Sequence, residues 1–112
     1  MATKYVVTEG AARELEAIAA YISCDLGSPA AAALLLREFQ ATARLVASFP
    51  ESRALCADPH LAARGYRSFH FKGYLAVYSY AEGIVRILHV FHHSQDYAEL
   101  VGHDDMIGDA PL

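Results

Sequence analysis

Several features that would assign a protein class at once are missing from this chain of 112 residues. It has no tryptophan, and its two cysteines, Cys24 and Cys56, form no CxxC pair or spaced framework. Isolated cysteines of this kind are most often reduced packing residues. No apolar run reaches the roughly 18 residues of a membrane span, and the first ten residues lack the apolar region of a secretory signal. We expect one cytoplasmic domain over residues 1–112, with residues 101–112 as a flexible acidic tail.

The chain also lacks an excess of positive charge. Nine basic residues stand against thirteen acidic ones, which gives a formal charge of −4. A protein that holds nucleic acid through its phosphates usually carries a basic excess. Four cations, Arg64, Arg67, Lys72 and Arg86, nevertheless fall between residues 64 and 93 with four of the six histidines. A local positive patch is therefore compatible with the acidic total.

The common catalytic signatures, such as GxxxxGKS, HExxH and GxSxG, are absent. His89, His92 and His93 resemble a metal cluster in print, but on a strand His92 points away from the other two. His89 and His93 are then about 13 Å apart, whereas zinc–nitrogen bonds are near 2 Å. We expect no metal and no cofactor. A histidine here fits better as a general acid–base or a phosphate contact, or as a half-buried packing residue.

The first half of the chain is helical. Residues 4–8 alternate as a strand, and Thr8 offers a hydroxyl cap to an amphipathic helix over residues 12–26. Gly27 ends that helix. Ser28-Pro29, a cap followed by proline at the first helical position, begins a second helix that reaches about residue 48. So short a connection predicts an antiparallel helical hairpin.

The second half is a sheet. Residues 50–63 carry two prolines and no period, which predicts a loop. Three strands follow, joined by two-residue turns at Lys72-Gly73 and Glu82-Gly83, and residues 95–101 suggest a short helical turn. The predicted fold is α+β, a β-α-α-β-β-β order with the helical hairpin packed on one face of a mostly antiparallel sheet.

Unbroken alternation along these strands predicts two apolar faces. The aromatic face collects Arg67, Phe69, Phe71, Tyr74, Ala76, Tyr78, Tyr80, Val85, Ile87, His89, Phe91 and His93. The aliphatic face collects Tyr66, Ser68, His70, Leu75, Val77, Ser79, Ile84, Leu88, Val90 and His92. The helices can cover only one face, so we expect the other to be an exposed apolar patch for a protein partner. In the alternative, the loop and the C-terminal tail cover it.

The order and spacing of short motifs over residues 5–100 resemble the RelE/ParE superfamily of toxins from bacterial type II toxin–antitoxin modules. The motifs are YVVTEGAARELEAIAAYI, LVASFPE, GYRSF, YLAVYSY and IVRILHVFHHSQDY. The resemblance implies a growth-inhibiting toxin, of the kind that stabilises plasmids, held inactive by a cognate antitoxin that wraps it. A homodimer and a toxin–antitoxin heterotetramer both stay open as assemblies.

Two mechanisms diverge within the superfamily. RelE-like members cleave messenger RNA on the ribosome without metal, and ParE-like members inhibit DNA gyrase. Two positions that hold an arginine in the nucleases match Leu75 and Ser94 here. Because a lost charge donor can cost roughly 10²–10³ in rate, we favour the ParE-like, non-catalytic branch. The alternatives are a ribosome-dependent mRNA endoribonuclease and a toxin-like fold that has lost toxicity.

The resemblance and the predicted strand pairing together suggest site residues. We expect Arg67 to stack on Tyr78 or to receive an acidic group from a partner. The expected antitoxin- or target-binding residues are Arg64, Arg67, Tyr74, Tyr78, His92, Asp96 and Tyr97. If the protein is instead a nuclease, the catalytic residues would be Arg67, His92, His93 and Tyr97.

Overall fold

The protein folds as a four-stranded sheet with two long helices, and a computed structural model describes residues 4–92. The elements are β1 (Lys4–Val7), α1 (Glu9–Ala20), α2 (Pro29–Ser48), α3 (Pro59–Ala63), β2 (Arg67–Phe71), β3 (Tyr74–Ala81) and β4 (Ile84–His92). The strand order is β1-β4-β3-β2, and only the β1–β4 pair is parallel. The predicted α+β order is confirmed, and the short helix α3 is added to it.

The predicted helix caps are in place. The Thr8 hydroxyl accepts a hydrogen bond from the Ala11 N–H, so α1 begins three residues before the predicted start. After α1 the chain continues as a single π-helical turn, Tyr21–Asp25, and Gly27 ends it with φ +69°. Ser28 then caps α2 through the Ala31 N–H, as its position before Pro29 predicts.

Both hairpin turns have the predicted length and conformation. Lys72 and Gly73 have φ of 50° and 83°, and the second turn, at residues 82–83, has 55° and 76°. Two consecutive positive φ values define the type I′ turn, whose twist matches that of the flanking strands. The first turn sets Phe71 opposite Tyr74. The second sets Ala81 opposite Ile84.

A β-bulge in β4 makes the predicted face assignment wrong beyond Ile87. Tyr78 pairs with Ile87, but Val77 pairs with His89, so Leu88 has no residue opposite it. An extra residue turns every later side chain to the other face. His89 and Phe91 therefore lie on the aliphatic face, and Val90 and His92 lie on the aromatic face.

Two side chains fasten the start of α1 to the bulge. Beyond Val7 the strand β1 ends, and Thr8 donates from its backbone N–H and its hydroxyl to the Ile87 carbonyl, at 3.1 and 3.0 Å. About one and a half turns into α1, Glu14 accepts the Val90 N–H at 2.8 Å and lies 3.4 Å from Nδ1 of His89. Backbone groups of β4 beyond the end of β1 are thus hydrogen-bonded to side chains, among the described residues, instead of to a neighbouring strand.

The core on the aromatic face is built around one helical phenylalanine. Phe39 of α2 contacts Phe71 edge-to-face, with ring centroids 5.2 Å apart, and also packs on Phe69. Leu15 of α1 and Val90 of β4 belong to the same buried cluster. This layer is the helical hairpin packed on one sheet face, as predicted.

The aliphatic face is covered by the chain itself, so the expected exposed patch is wrong. Leu75, Val77 and Phe91 are buried in a second cluster with Leu61 of α3 and Cys56. Residues 50–66 form this cover. Within it, the Cys56 N–H donates a hydrogen bond of 2.9 Å to the Tyr66 carbonyl. Burial raises the pKa of the Cys56 thiol, and nearby Asp58 adds to that effect, so the thiol packs as a neutral apolar group. The alternative prediction, a covering loop, is the correct one for these residues.

Polar anchors hold the loop where it leaves α2. The Tyr78 hydroxyl donates to the Pro50 carbonyl at 2.7 Å. The Arg67 guanidinium donates to the carbonyls of Arg53 and Glu51. Arg67 and Tyr78 stand opposite each other on β2 and β3, so this one cross-strand pair fixes the direction in which the loop starts.

Some predicted features lie outside the described residues. They are the helical turn at residues 95–101 and the acidic tail at residues 101–112, together with His93, Ser94, Asp96 and Tyr97. Within residues 4–92, no helix combines the length and the hydropathy that crossing a bilayer requires.

The first testable consequence concerns Glu14. Glu14→Gln weakens the acceptor for the Val90 N–H, and Glu14→Ala removes it and leaves a backbone donor at the bulge unsatisfied. We expect Glu14→Ala to lower the free energy of unfolding by about 1–3 kcal/mol, measured by urea denaturation. Glu16→Ala, on the exposed side of the same helix, is the control. An equal loss in the two variants would contradict a role for Glu14 at the bulge.

The second concerns the Tyr78 hydroxyl. Burial raises the pKa of this phenol above its ordinary value of 10.0, although Arg67 and Arg53 oppose the effect. A raised pKa means that the folded protein favours the protonated phenol, so its stabilisation is complete below about pH 10 and is lost as the pH rises through the folded pKa. Tyr78→Phe should cost about 1 kcal/mol at neutral pH.

The difference in unfolding free energy between wild type and Tyr78→Phe should therefore shrink above about pH 10. Urea denaturation across that range measures it. Tyr80→Phe, which alters a tyrosine of the same strand that is 40% exposed, should change little across that range. A difference that stays constant with pH would show that the Tyr78 proton is not part of the stabilisation.

Candidate functional site

The predicted site residues that the structure describes fall into separate groups. Arg67 and Tyr78 lie together at one end of the β2–β3 pair. Tyr78 is completely buried with its hydroxyl bonded to Pro50, so it belongs to the core and presents no surface. Arg67 remains partly exposed, and its side chain supports the loop.

Tyr74 and His92 meet at the opposite end of the sheet. They are paired across β3 and β4, with ring centroids 5.4 Å apart in an edge-to-face arrangement. Tyr74 also packs on Phe71, while His92 is exposed. The bulge creates this contact, because without it His92 would lie on the aliphatic face.

Arg67 and His92 do not converge on one site. The register places them four residues apart along the strands and two strands apart across the sheet. These separations are about 13 Å and about 10 Å. Two side chains that act on one phosphate, one by transferring a proton and one by stabilising charge, must both lie within hydrogen-bonding distance of it. Arg67 and His92 are too far apart for that.

Arg64 and Leu75 complete the predicted set within the described residues. Arg64 ends α3, where its backbone N–H donates to the Leu61 carbonyl at 3.1 Å, and its side chain is exposed. Leu75, at the position matched to a nuclease arginine, is only 4% exposed and packs in the second cluster. Within residues 4–92, no three His, Cys, Asp or Glu side chains come close enough to share a metal ion.

An apolar groove lies between β1 and the helical hairpin, and sequence reasoning missed it. Its volume is about 410 Å³. The lining residues are Tyr5, Val7, Ala12, Leu15, Glu16, Ala19, Leu36, Phe39 and Gln40. Strand β1 is an edge of the sheet, with β4 on one side and no strand on the other within the described residues.

Small side chains produce this groove. Ala12 and Ala19 of α1 leave a gap over β1 that a larger residue would fill, while Leu36 of α2 is 36% exposed at its margin. Glu16 and Gln40 add polar atoms to an otherwise apolar lining. The only trace of the groove in the sequence is the alanines on the apolar stripe of α1. Helix periodicity assigns these alanines to the core and gives no sign of a gap.

Comparison with known proteins agrees with this architecture. The sequence profile described as "ParE toxin of type II toxin-antitoxin system, parDE" matches residues 5–97. A solved structure described as "Chromosomal ParDE TA system from P. aeruginosa" superposes with a TM-score of 0.65 at 16% identity, and the match covers 80% of this chain and 95% of that one. No curated protein shows a significant sequence match.

The profile spans nearly all of the sheet and both long helices, which is the part of the chain that carries the fold. The solved structure shows the same fold at low identity. On these matches the chain belongs to the ParE toxin family of type II toxin–antitoxin systems.

Proposed function

We propose that this protein is a growth-inhibiting toxin that acts on DNA gyrase in the bacterial cytoplasm and is neutralised by a cognate antitoxin. The observation that carries the antitoxin part is the apolar groove beside the edge of β1 that no strand of residues 4–92 pairs with. The solved neighbour is described as a ParDE system, which supports a partner of this kind. A role in plasmid stabilisation follows from the same proposal.

The shape of the groove fits a polypeptide segment with one apolar stripe. Leu15, Phe39 and Val7 form its floor or walls, and an amphipathic helix buries its stripe in such grooves. The adjacent edge of β1 pairs with no strand in the described part of the chain, so an extended segment could join it. Glu16 and Gln40 can fix the orientation of the bound segment through hydrogen bonds.

The structure favours a binding mechanism over catalysis. Arg67 is engaged with loop carbonyls, Leu75 is buried in an apolar cluster, and Arg67 lies far from His92. Net charge of −4 also opposes an extended contact with ribosomal RNA. These observations support gyrase as the target rather than messenger RNA.

Exposed residues at two places could contact the target. His92 beside Tyr74 lies at one end of the sheet, and Arg64 lies at the end of α3. Asp96 and Tyr97, which follow β4 in the sequence, belong to the same proposed set of contact residues. Arginine and tyrosine, which Arg64, Tyr74 and Tyr97 supply, are types enriched in binding hot spots.

The groove predicts a specific loss of antitoxin binding. Leu36→Arg places a charge at the groove and should weaken binding of the cognate antitoxin by about 2 kcal/mol or more, roughly thirtyfold. Isothermal titration calorimetry measures this. Leu45→Arg is the matched control, because nine residues along α2 turn it to the opposite side of the helix and it is already 54% exposed. Equal affinity for both variants would exclude the groove as the binding site.

The target is tested with purified toxin in two assays run side by side. We expect DNA supercoiling by gyrase to stop and mRNA on translating ribosomes to stay intact, and added antitoxin should restore supercoiling. Cuts in ribosome-bound mRNA that disappear in His92→Ala or Tyr97→Phe would instead support the endoribonuclease. Absence of both effects, with normal growth on induced expression, would point to a toxin-like fold without toxicity.

A further inference from the structure

Two arginines meet where the loop leaves α2. Arg67 donates to the backbone carbonyl of Arg53, which brings the two residues into contact. The Nε atom of Arg53 is buried and finds no hydrogen-bond acceptor in the described part of the chain. A buried donor without an acceptor is costly, so this group has an unused capacity to bind.

No acidic side chain balances these two cations among residues 4–92. The ion pairs there join Arg13 to Glu9 and His89 to Glu14, and neither arginine of the pair takes part. Both guanidinium groups lie close enough to Tyr78 to oppose the rise in its pKa that burial causes. Two arginines without an ion-pair partner among residues 4–92 therefore share one small region.

Two exposed apolar side chains belong to the same segment as Arg53. Leu55, opposite Arg67 in an isolated β-bridge at the edge of β2, is 45% exposed. Phe49 lies in the turn after α2, where its carbonyl accepts the Ser52 N–H, and its side chain is 61% exposed. We call Phe49, Arg53, Leu55 and Arg67 the arginine patch. Aromatic residues and arginine are the types that dominate protein–protein interfaces.

We propose that the arginine patch binds a carboxylate side chain of a protein partner, flanked in that partner by apolar residues. A guanidinium group holds a carboxylate through two parallel hydrogen bonds. A small rotation of the Arg53 side chain would bring its Nε–Nη edge to the ligand and satisfy the buried donor. Leu55 and Phe49 then contact the flanking apolar groups.

A carboxylate fits this patch better than a nucleic-acid phosphate. A phosphate backbone presents a row of charges and is matched by an extended basic surface, whereas this site has two cations on a chain of net charge −4. The inference does not depend on toxicity or on gyrase as the target.

The test observes the arginine side chains directly. The Nε–H signals of the ¹⁵N-labelled full-length protein are followed by NMR during titration with the capped peptide acetyl-Leu-Glu-Leu-amide. We expect saturable shifts of the Arg53 and Arg67 signals and none for Arg13, the internal control. Acetyl-Leu-Gln-Leu-amide should bind about tenfold more weakly or worse, because it lacks the charge.

The variant Arg53→Gln should lower the affinity for the Glu peptide by a similar factor, with an otherwise unchanged backbone spectrum that shows an intact fold. Equal shifts of Arg13 and Arg53, or equal binding of the Glu and Gln peptides, would overturn the proposal. Tighter binding of the dinucleotide thymidylyl-thymidine than of the Glu peptide would overturn it in favour of a nucleic-acid phosphate. Because the peptide and dinucleotide titrations use the wild-type protein, they test the proposal even if Arg53→Gln fails to fold.

Discussion

The bulge at Leu88 determines what every later residue of β4 contacts. Before it, Val85 and Ile87 face the helices; after it, Val90 takes over that face. Strict alternation would have put His89 against the helical core, where a polar ring costs free energy unless it is hydrogen-bonded. The extra residue instead sends His89 to the other face, stacked on Phe91 and within reach of Glu14. The bulge thus removes a conflict between the sequence pattern and the core.

The same point of the sheet orients the helical hairpin. Thr8 caps α1 and also donates to Ile87, so one residue joins the end of β1, the start of α1 and the bulge. Glu14 makes the second attachment one and a half turns later, at Val90. Two attachments on one helix fix its direction as well as its position. Since α1 forms one wall of the groove, the width of that groove depends on these buried polar contacts.

Local patterns predicted most of the fold. Thr8, Ser28-Pro29 and the two glycine turns each act within a few residues, and the structure has each of them where the sequence places it. The bulge was missed because Ile84–His92 reads as an unbroken strand, and only the three-dimensional conflict at His89 selects an extra residue. Helix α3 was missed because five residues are too few to show a period, although Asp58-Pro59 is a cap followed by proline at the first position.

The candidate site was less predictable than the fold because it, too, depends on contacts between elements that are distant in sequence. Arg67, Tyr74 and Tyr78 were expected on one continuous aromatic face and His92 on the aliphatic face. Instead, Tyr78 is buried beside Arg67 at one end of the sheet, and the bulge brings His92 next to Tyr74 at the other. The groove arises from contacts between elements distant in sequence, β1 with α1 and α2. No single stretch of sequence encodes such a gap. Alanines on a buried helix face are its only local sign, and they have the same appearance in a tightly packed core.

Closing the aliphatic face by the loop changes where a partner can bind. A sheet with two apolar faces needs two covers, and residues 50–66 supply the second with a few well-placed groups, Leu61 and Cys56 among them. That cover stays on the sheet because Arg67 and Tyr78 bind the carbonyls at its start. With both faces covered, the apolar side chains that remain exposed include Leu36 at the groove along β1 and Phe49 and Leu55 around the turn after α2. A partner that neutralised this molecule would therefore grip its edges, and the sheet faces would stay in the core.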